Sequence, residues 1–309
     1  MARIMQTDLD VLVLLAELRL ATADQLAVAT GANAEAMGRR LRQLSSESSY
    51  VRILTQDLGT GPGRPRNLFA LGKVGAQALV EADRLPPERV DAVVAPSAPV
   101  THRHLLMGNS VWVQLRSIQR RVPFLEATYL ATHSPLIERS EGGASVLHDH
   151  VAMGDGCVIG FEPDGVFYLR HLEMDKTLLF FLEADRGTEP RATLSERAAI
   201  VQKLKLYQQY LASEGYRRYE KRWGSALKGF RLLILAETAQ RTRAICRSVQ
   251  ECPPSSFVWV AEHNSLLTLG LHAPIWNVGG NVELAAQSIL GSQYERVCNV
   301  LGNGGPNAH

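Results

Sequence analysis

The sequence predicts an α+β protein in two parts, a small helical domain closed by a β-hairpin and a larger α/β sandwich built on a mixed sheet. Three observations predict this. The first hundred residues carry helix-length segments punctuated by capping residues and a glycine. A Gly/Pro-rich loop between two short β-prone runs follows the third of them. Beyond residue 120 the pattern changes to short apolar runs alternating with helices, as in a layered α/β domain. At 309 residues the chain is long enough for two cores, and its 46% hydrophobic and 21% charged content suits a folded soluble protein.

Thr7 can cap a first helix whose interior, LDVLVLLAELRL, is apolar nearly all round and therefore central. Thr22 and Gln25 form a capping box that opens a second helix, DQLAVAT. Gly31 breaks the chain and Asn33 caps a third helix, AEAMGRRLRQL. Met37, Leu41 and Leu44 recur at i, i+4 and i+7 and face inward, which leaves Arg39, Arg40, Arg42 and Gln43 for other contacts. YVRILTQ (50–56), the loop DLGTGPGRPRN and the run LFAL then predict a hairpin whose tip carries Arg64 and Arg66. Helices of this order followed by a basic-tipped hairpin are the logic of a winged helix-turn-helix, with the recognition helix and wing set against double-stranded DNA. Seven Lys/Arg against three acids between 33 and 73 favour DNA, although winged helices also bind proteins. Gly59, Gly61 and Gly63 spell GxGxG, but no helix follows where a dinucleotide site needs one. Residues 74–84 predict one more helix, and 85–100, with four prolines, predict a linker. The expected domains are thus 1–84 and 101–300, with a disordered tail over 301–309.

The second domain opens on a helix over about 101–121. The runs CVIGFE (157–162), DGVFYLR (164–170) and TLLFFLEAD (177–185) are expected as a meander. Helices over about 192–213 and 239–250 alternate with two further strands, RLLILAE (231–237) and FVWVAE (257–262). Asp164 opens one strand, while Glu183 and Asp185 close the next on one face. Carboxylates gathered at a strand end repel unless neutralised, and Mg²⁺ or Mn²⁺ is the natural hard counter-ion. Such an ion with a nearby lysine is the equipment for phosphodiester hydrolysis. Plainer readings stand beside this one. Asp164, between Pro163 and Gly165, also suits a turn, and Asp185 can pair with Arg186. His148 and His150 share a strand face but have no evident further ligands, and His102 and His104 begin a helix.

Charge is segregated along this domain. Residues 140–200 hold eleven acids against five Lys/Arg, and 203–247 hold eleven Lys/Arg against three acids. This suits a cation site beside a phosphate-binding surface, with Arg217, Arg218, Lys221 and Arg222 as further phosphate contacts, or simply solvated faces.

PDGVFYL, FFLEADRGTE and KLKLYQQY together make the chain similar to the replication-relaxation family of bacterial plasmids and mobile elements. The GRPRN loop, the arginine-rich third helix and the His104 to Asn109 segment add to the resemblance. It implies a winged helix joined to a domain resembling PD-(D/E)xK nucleases, with Asp164 and Glu183 as metal carboxylates. Where that superfamily has a lysine two residues after the glutamate, this chain has Asp185. Lys203 is the candidate replacement, and Tyr207 shares its helix face while Lys205 points away. The resulting expectation is a DNA-binding protein of plasmid replication or transfer with a metal-dependent nicking site at Asp164, Glu183, Asp185, Lys203 and Tyr207. The alternative is a non-catalytic regulator whose second domain mediates dimerisation or partner binding.

No GxSxG, P-loop or HExxH occurs, which leaves those hydrolase classes without support. No apolar run approaches the roughly 20 residues of a membrane span, and the polar start MARIMQTDLD argues against export. Cys157, Cys246, Cys252 and Cys298 form no CxxC pair, which suits a reducing cytoplasm.

Overall fold

A computed structural model describes residues 4–46, 49–55, 67–98, 101–154, 156–187 and 196–303. The chain is mixed α and β and divides into two compact units, Met1–Ser117 with His133–Arg139, and Ile118–Thr132 with Ser140–His309.

In the first unit α1 (Gln6–Leu18), α2 (Ala23–Thr30) and α3 (Ala34–Ser46) precede the antiparallel pair β1 (Val51–Thr55) and β2 (Asn67–Leu71). Then come α4 (Lys73–Glu81), α5 (Val90–Val94) and most of α6 (His102–Arg121). Val11, Leu12, Leu14, Leu15 and Leu18 of α1 are all buried, as an apolar run without a polar face requires. Thr7 is not the cap. The helix starts at Gln6, and the Met5 N–H donates to Asp8 Oδ2 at 2.7 Å. The Thr22–Gln25 capping box forms reciprocally, both bonds 3.2 Å. Gly31 ends α2 at φ 76°, a left-handed angle that favours glycine, and Asn33 Oδ1 accepts the Glu35 and Ala36 N–H groups at 3.0 Å. Ala21 bridges Phe69 and so adds a third backbone segment to the hairpin. Arg64 and Arg66 lie outside the described residues.

The expected linker is partly structured: a 3₁₀ turn at Pro87–Arg89 leads into α5, and Leu85 and Val93 join the core of this unit. Proline content pointed to a linker, but burial of Leu85 and Val93 overrides that signal. The helix α6 also belongs largely here, because its buried polar residues serve α1. Asn109 Nδ2 donates to the Leu18 and Leu20 carbonyls at 3.2 and 2.7 Å, and its Oδ1 meets His133 Nε2 at 2.9 Å. Those carbonyls lie at the end of α1, where helical partners run out. His102 bonds back to Ser97 at 3.0 Å.

The second unit is built on β3 (Leu125–Ala131), β4 (Asp149–Ala152), β5 (Val158–Phe161), β6 (Gly165–His171) and β7 (Lys176–Asp185), followed by α7 (Glu196–Ala212) and α8 (Arg218–Trp223). After these come β8 (Phe230–Ala236), α9 (Ala239–Gln250), β9 (Val258–Glu262), α10 (His263–Leu269), β10 (Asn277–Val278) and α11 (Tyr294–Asn303). The main sheet runs β10-β9-β8-β7-β6-β3. The β7-β8 and β8-β9 pairs are parallel, each joined through helices as a parallel crossover demands. The meander differs from expectation. β5 pairs with β4 in a separate hairpin, and β3, whose partly exposed residues hide its strand character, supplies the outer strand beside β6. Central β7 is buried continuously from Leu179 to Ala184, as its unbroken apolar run predicts. Among the described residues no helix is long and apolar enough to cross a membrane.

Candidate functional site

The acids gather where the parallel strands end. Asp185, Ala236 and Glu262 terminate β7, β8 and β9, the edge at which open α/β sheets place their ligands. Pairing of Gly165 with Leu182, continued by one residue, sets Asp164 opposite Glu183. Asp164 Oδ2 accepts the Ala184 N–H at 2.7 Å, and the Asp164 carbonyl accepts the Thr132 N–H at 3.1 Å. The turn role and the site position of Asp164 therefore coincide. Gly165 is required there, since a Cβ would overlap the Tyr129 hydroxyl.

Glu183 is 7% exposed. Phe181, two residues earlier, faces α7 and packs against Tyr207 and Tyr210, so the strand period brings Glu183 to the same helix. Lys203 Nζ donates to Glu183 Oε2 at 2.8 Å, and the Tyr207 hydroxyl donates to Oε1 at 2.5 Å. Burial raises the Glu183 pKa, the Asp164 charge adds to the rise, and Lys203 opposes it. Tyr207 is pushed up by burial first and then by Glu183. Lys205 on the same helix is exposed, as helical geometry requires.

Asp185 goes elsewhere. Arg241 of α9 grips it through Nε at 2.6 Å and Nη2 at 2.9 Å, and the Gly187 N–H donates to it at 2.9 Å. The expected partner, Arg186, meets Glu237 at 3.7 Å. The structure thus unites Asp164, Glu183, Lys203 and Tyr207 and engages Asp185 in a guanidinium fork. Among the described residues no group of three His, Cys, Asp or Glu side chains is arranged to hold a metal ion.

Two further residues belong to this site and carry no signal in the sequence. Tyr129 of β3 has a buried hydroxyl with no hydrogen-bond partner among the described residues, and burial followed by the Asp164 charge raises its pKa strongly. Arg241 lies 56 residues beyond the acid it holds. Only the register β3-β6-β7 and the β8-α9 crossover bring them here.

The other candidates divide in two. Arg218 is a structural residue, donating to Asp149 and to the Val146 and His148 carbonyls, while Arg217 pairs with Glu214 at 2.7 Å. The His148 and His150 rings meet edge to face at 4.7 Å. In the first unit Arg40 forks onto buried Asp8, through Nε at 2.7 Å and Nη2 at 2.6 Å, and its Nη1 reaches Gln43 at 2.7 Å. Burial raises the Asp8 pKa, but Arg40 and the Met5 N–H outweigh it and hold the carboxyl below its usual range. Arg40 is therefore part of the fold and not an open contact. Arg39 is exposed and pairs with Glu35 at 3.0 Å, while Arg42 and Gln43 are exposed.

A family model described as replication-relaxation matches residues 12–224. The chain belongs to this family. The match spans α1 to α8 and contains both Asp164 and Glu183 with their helix partners, whereas Arg241 lies beyond it. Membership associates the chain with replication or relaxation. No curated protein and no solved structure matches the chain.

Proposed function

We propose that this replication-relaxation protein binds duplex DNA and cleaves one strand of it at the Asp164–Glu183–Lys203 cluster. The observation that carries the reading is Lys203 Nζ at 2.8 Å from Glu183 Oε2, with Asp164 opposite on the neighbouring strand. Two carboxylates and a lysine then stand at one strand end although the strand lacks its usual lysine. Helices α1 to α3, the β1-β2 pair and the Ala21–Phe69 bridge support a winged helix, with Arg39, Arg42 and Gln43 of α3 exposed for DNA.

The donor set suits Mg²⁺ or Mn²⁺, because Asp164 and Glu183 offer hard oxygens and such ions need only one or two carboxylates beside water and phosphate oxygens. Asp185, forked by Arg241, is outside that set. A bound ion would supply charge neutralisation and an activated water. Lys203 would hand Glu183 over and turn its ammonium toward the charge developing on phosphate, and Tyr207 would keep Glu183 aimed.

A second reading has its own observation: both Glu183 oxygens already accept hydrogen bonds, which suits a structural cluster in a non-catalytic DNA-binding protein. Incubation with supercoiled plasmid in Mn²⁺ or Mg²⁺ separates the two. Metal-dependent conversion to open circle that EDTA and the Asp164→Ala/Glu183→Ala variant abolish is expected. Equal plasmid shifts by both proteins without conversion would sink cleavage and leave DNA binding.

A further inference from the structure

A cavity of about 320 Å³ opens between α7 and α9, lined by Arg197, Ile200, Arg241, Arg247 and Glu251, with Ala244 and Ser248. Its wall is cationic, three guanidiniums against one carboxylate. Two of its lining residues lead toward the cluster described above. Arg241 holds Asp185, two residues after Glu183 on the same strand, and Ile200 precedes Lys203 by about one helical turn.

The three arginines are in different states. Arg241 is committed to Asp185. Arg197 pairs with Glu251, but both side chains are at least half exposed, and a solvated pair of that kind contributes little. Arg247 is exposed and has no ion-pair or hydrogen-bond partner for its side chain among the described residues. Ile200 and Ala244 are the apolar residues of its lining.

Resting on the duplex-DNA reading, we infer that this α7-α9 groove holds backbone phosphates of the duplex and so delivers the strand to Glu183 and Lys203. The guanidinium fork matches two phosphate oxygens, and a phosphate entering the groove replaces Glu251 as the partner of Arg197. The helix α9 lies outside the family match at residues 12–224, so this contact is built from a part of the chain that the family pattern does not cover.

The test is fluorescence anisotropy with a labelled 30-base-pair duplex across a salt series. The proteins are the full chain, Arg247→Glu, Arg197→Ala/Arg247→Ala, and Lys205→Glu as a matched charge change on an exposed site of α7. The groove variants are expected to weaken binding about tenfold, and the slope of log K against log salt should fall by about one per lost phosphate contact. Lys205→Glu is expected to change affinity less than about twofold. Groove variants that bind like the full chain, or that lose no more than Lys205→Glu, overturn the groove and leave the duplex reading intact. A full chain that binds no duplex at low salt overturns both.

Discussion

Two buried carboxylates of the second unit, Asp149 and Glu183, meet the same helix through tyrosines one turn apart, yet their surroundings differ. Asp149 accepts Tyr210 at 2.8 Å and Tyr219 at 3.4 Å, and Arg218 locks onto it while also binding two backbone carbonyls. Every donor there belongs to the scaffold, and the Arg fork is geometrically fixed. Glu183 instead meets a lysine, a point charge on a flexible stem, beside a second carboxylate at the open end of the sheet. The first arrangement staples the β4-β5 hairpin to α7 and α8. The second keeps two like charges together at the end of the parallel strands. Burial raises the pKa of both acids, so the raised pKa alone does not separate the two arrangements; the identity of the cation does, an arginine at Asp149 and a lysine at Glu183.

The largest effect expected from this contrast is at the staple. Asp149→Ala leaves Arg218, Tyr210 and Tyr219 without their shared acceptor, and urea unfolding should show a loss of about 3–5 kcal/mol. A loss below 1 kcal/mol, within the range of an ordinary surface change, would end the staple description.

Glu183→Gln should act in the opposite direction. An acid whose folded pKa is raised costs no stability while both states are protonated. The cost grows as pH rises past the ordinary value of 4.5, where the unfolded chain ionises first. The variant should therefore melt higher than wild type at pH 8, by roughly 2–4 °C for each kcal/mol relieved, and equal it near pH 4. Cleavage should be lost in the same variant. A lower melting temperature at pH 8 would place Glu183 with Asp149 among the staples.

Asp8 and Arg40 give a third point of comparison, in the first unit. With its folded pKa depressed, Asp8 stabilises above its ordinary value of 3.8, and that stability disappears as pH falls through the folded value. Arg40→Ala should destabilise by about 1–3 kcal/mol at neutral pH, with a difference that narrows in acid. The smallest effect is that of Arg39→Ala, about 0.3–0.5 kcal/mol from its exposed pair with Glu35. In gel shifts, however, it should weaken duplex binding, whereas a shift unchanged by Arg39→Ala and Arg42→Ala together would remove α3 from the DNA interface.

Much of this was legible in order of residues. The apolar run of α1, the Thr22–Gln25 box, the Asn33 cap and the unbroken TLLFFL run each encode a local rule, and each appears where that rule puts it. Lys203 and Tyr207 were reachable as well, because helical spacing four apart is a property of the sequence alone. What the residue order left open was the partner of each charge. The acidic stretch 140–200 and the basic stretch 203–247 are separate in sequence, but in space they meet pair by pair: Asp149 with Arg218, Glu183 with Lys203, Asp185 with Arg241. Asp8 and Arg40, 32 residues apart, do the same in the first unit. Periodicity fixes which face a side chain takes on its own element, but an ion pair between elements depends on register and crossover. Those are set by the burial of the whole sheet, and so only the tertiary structure decided which arginines hold the fold and which face the solvent.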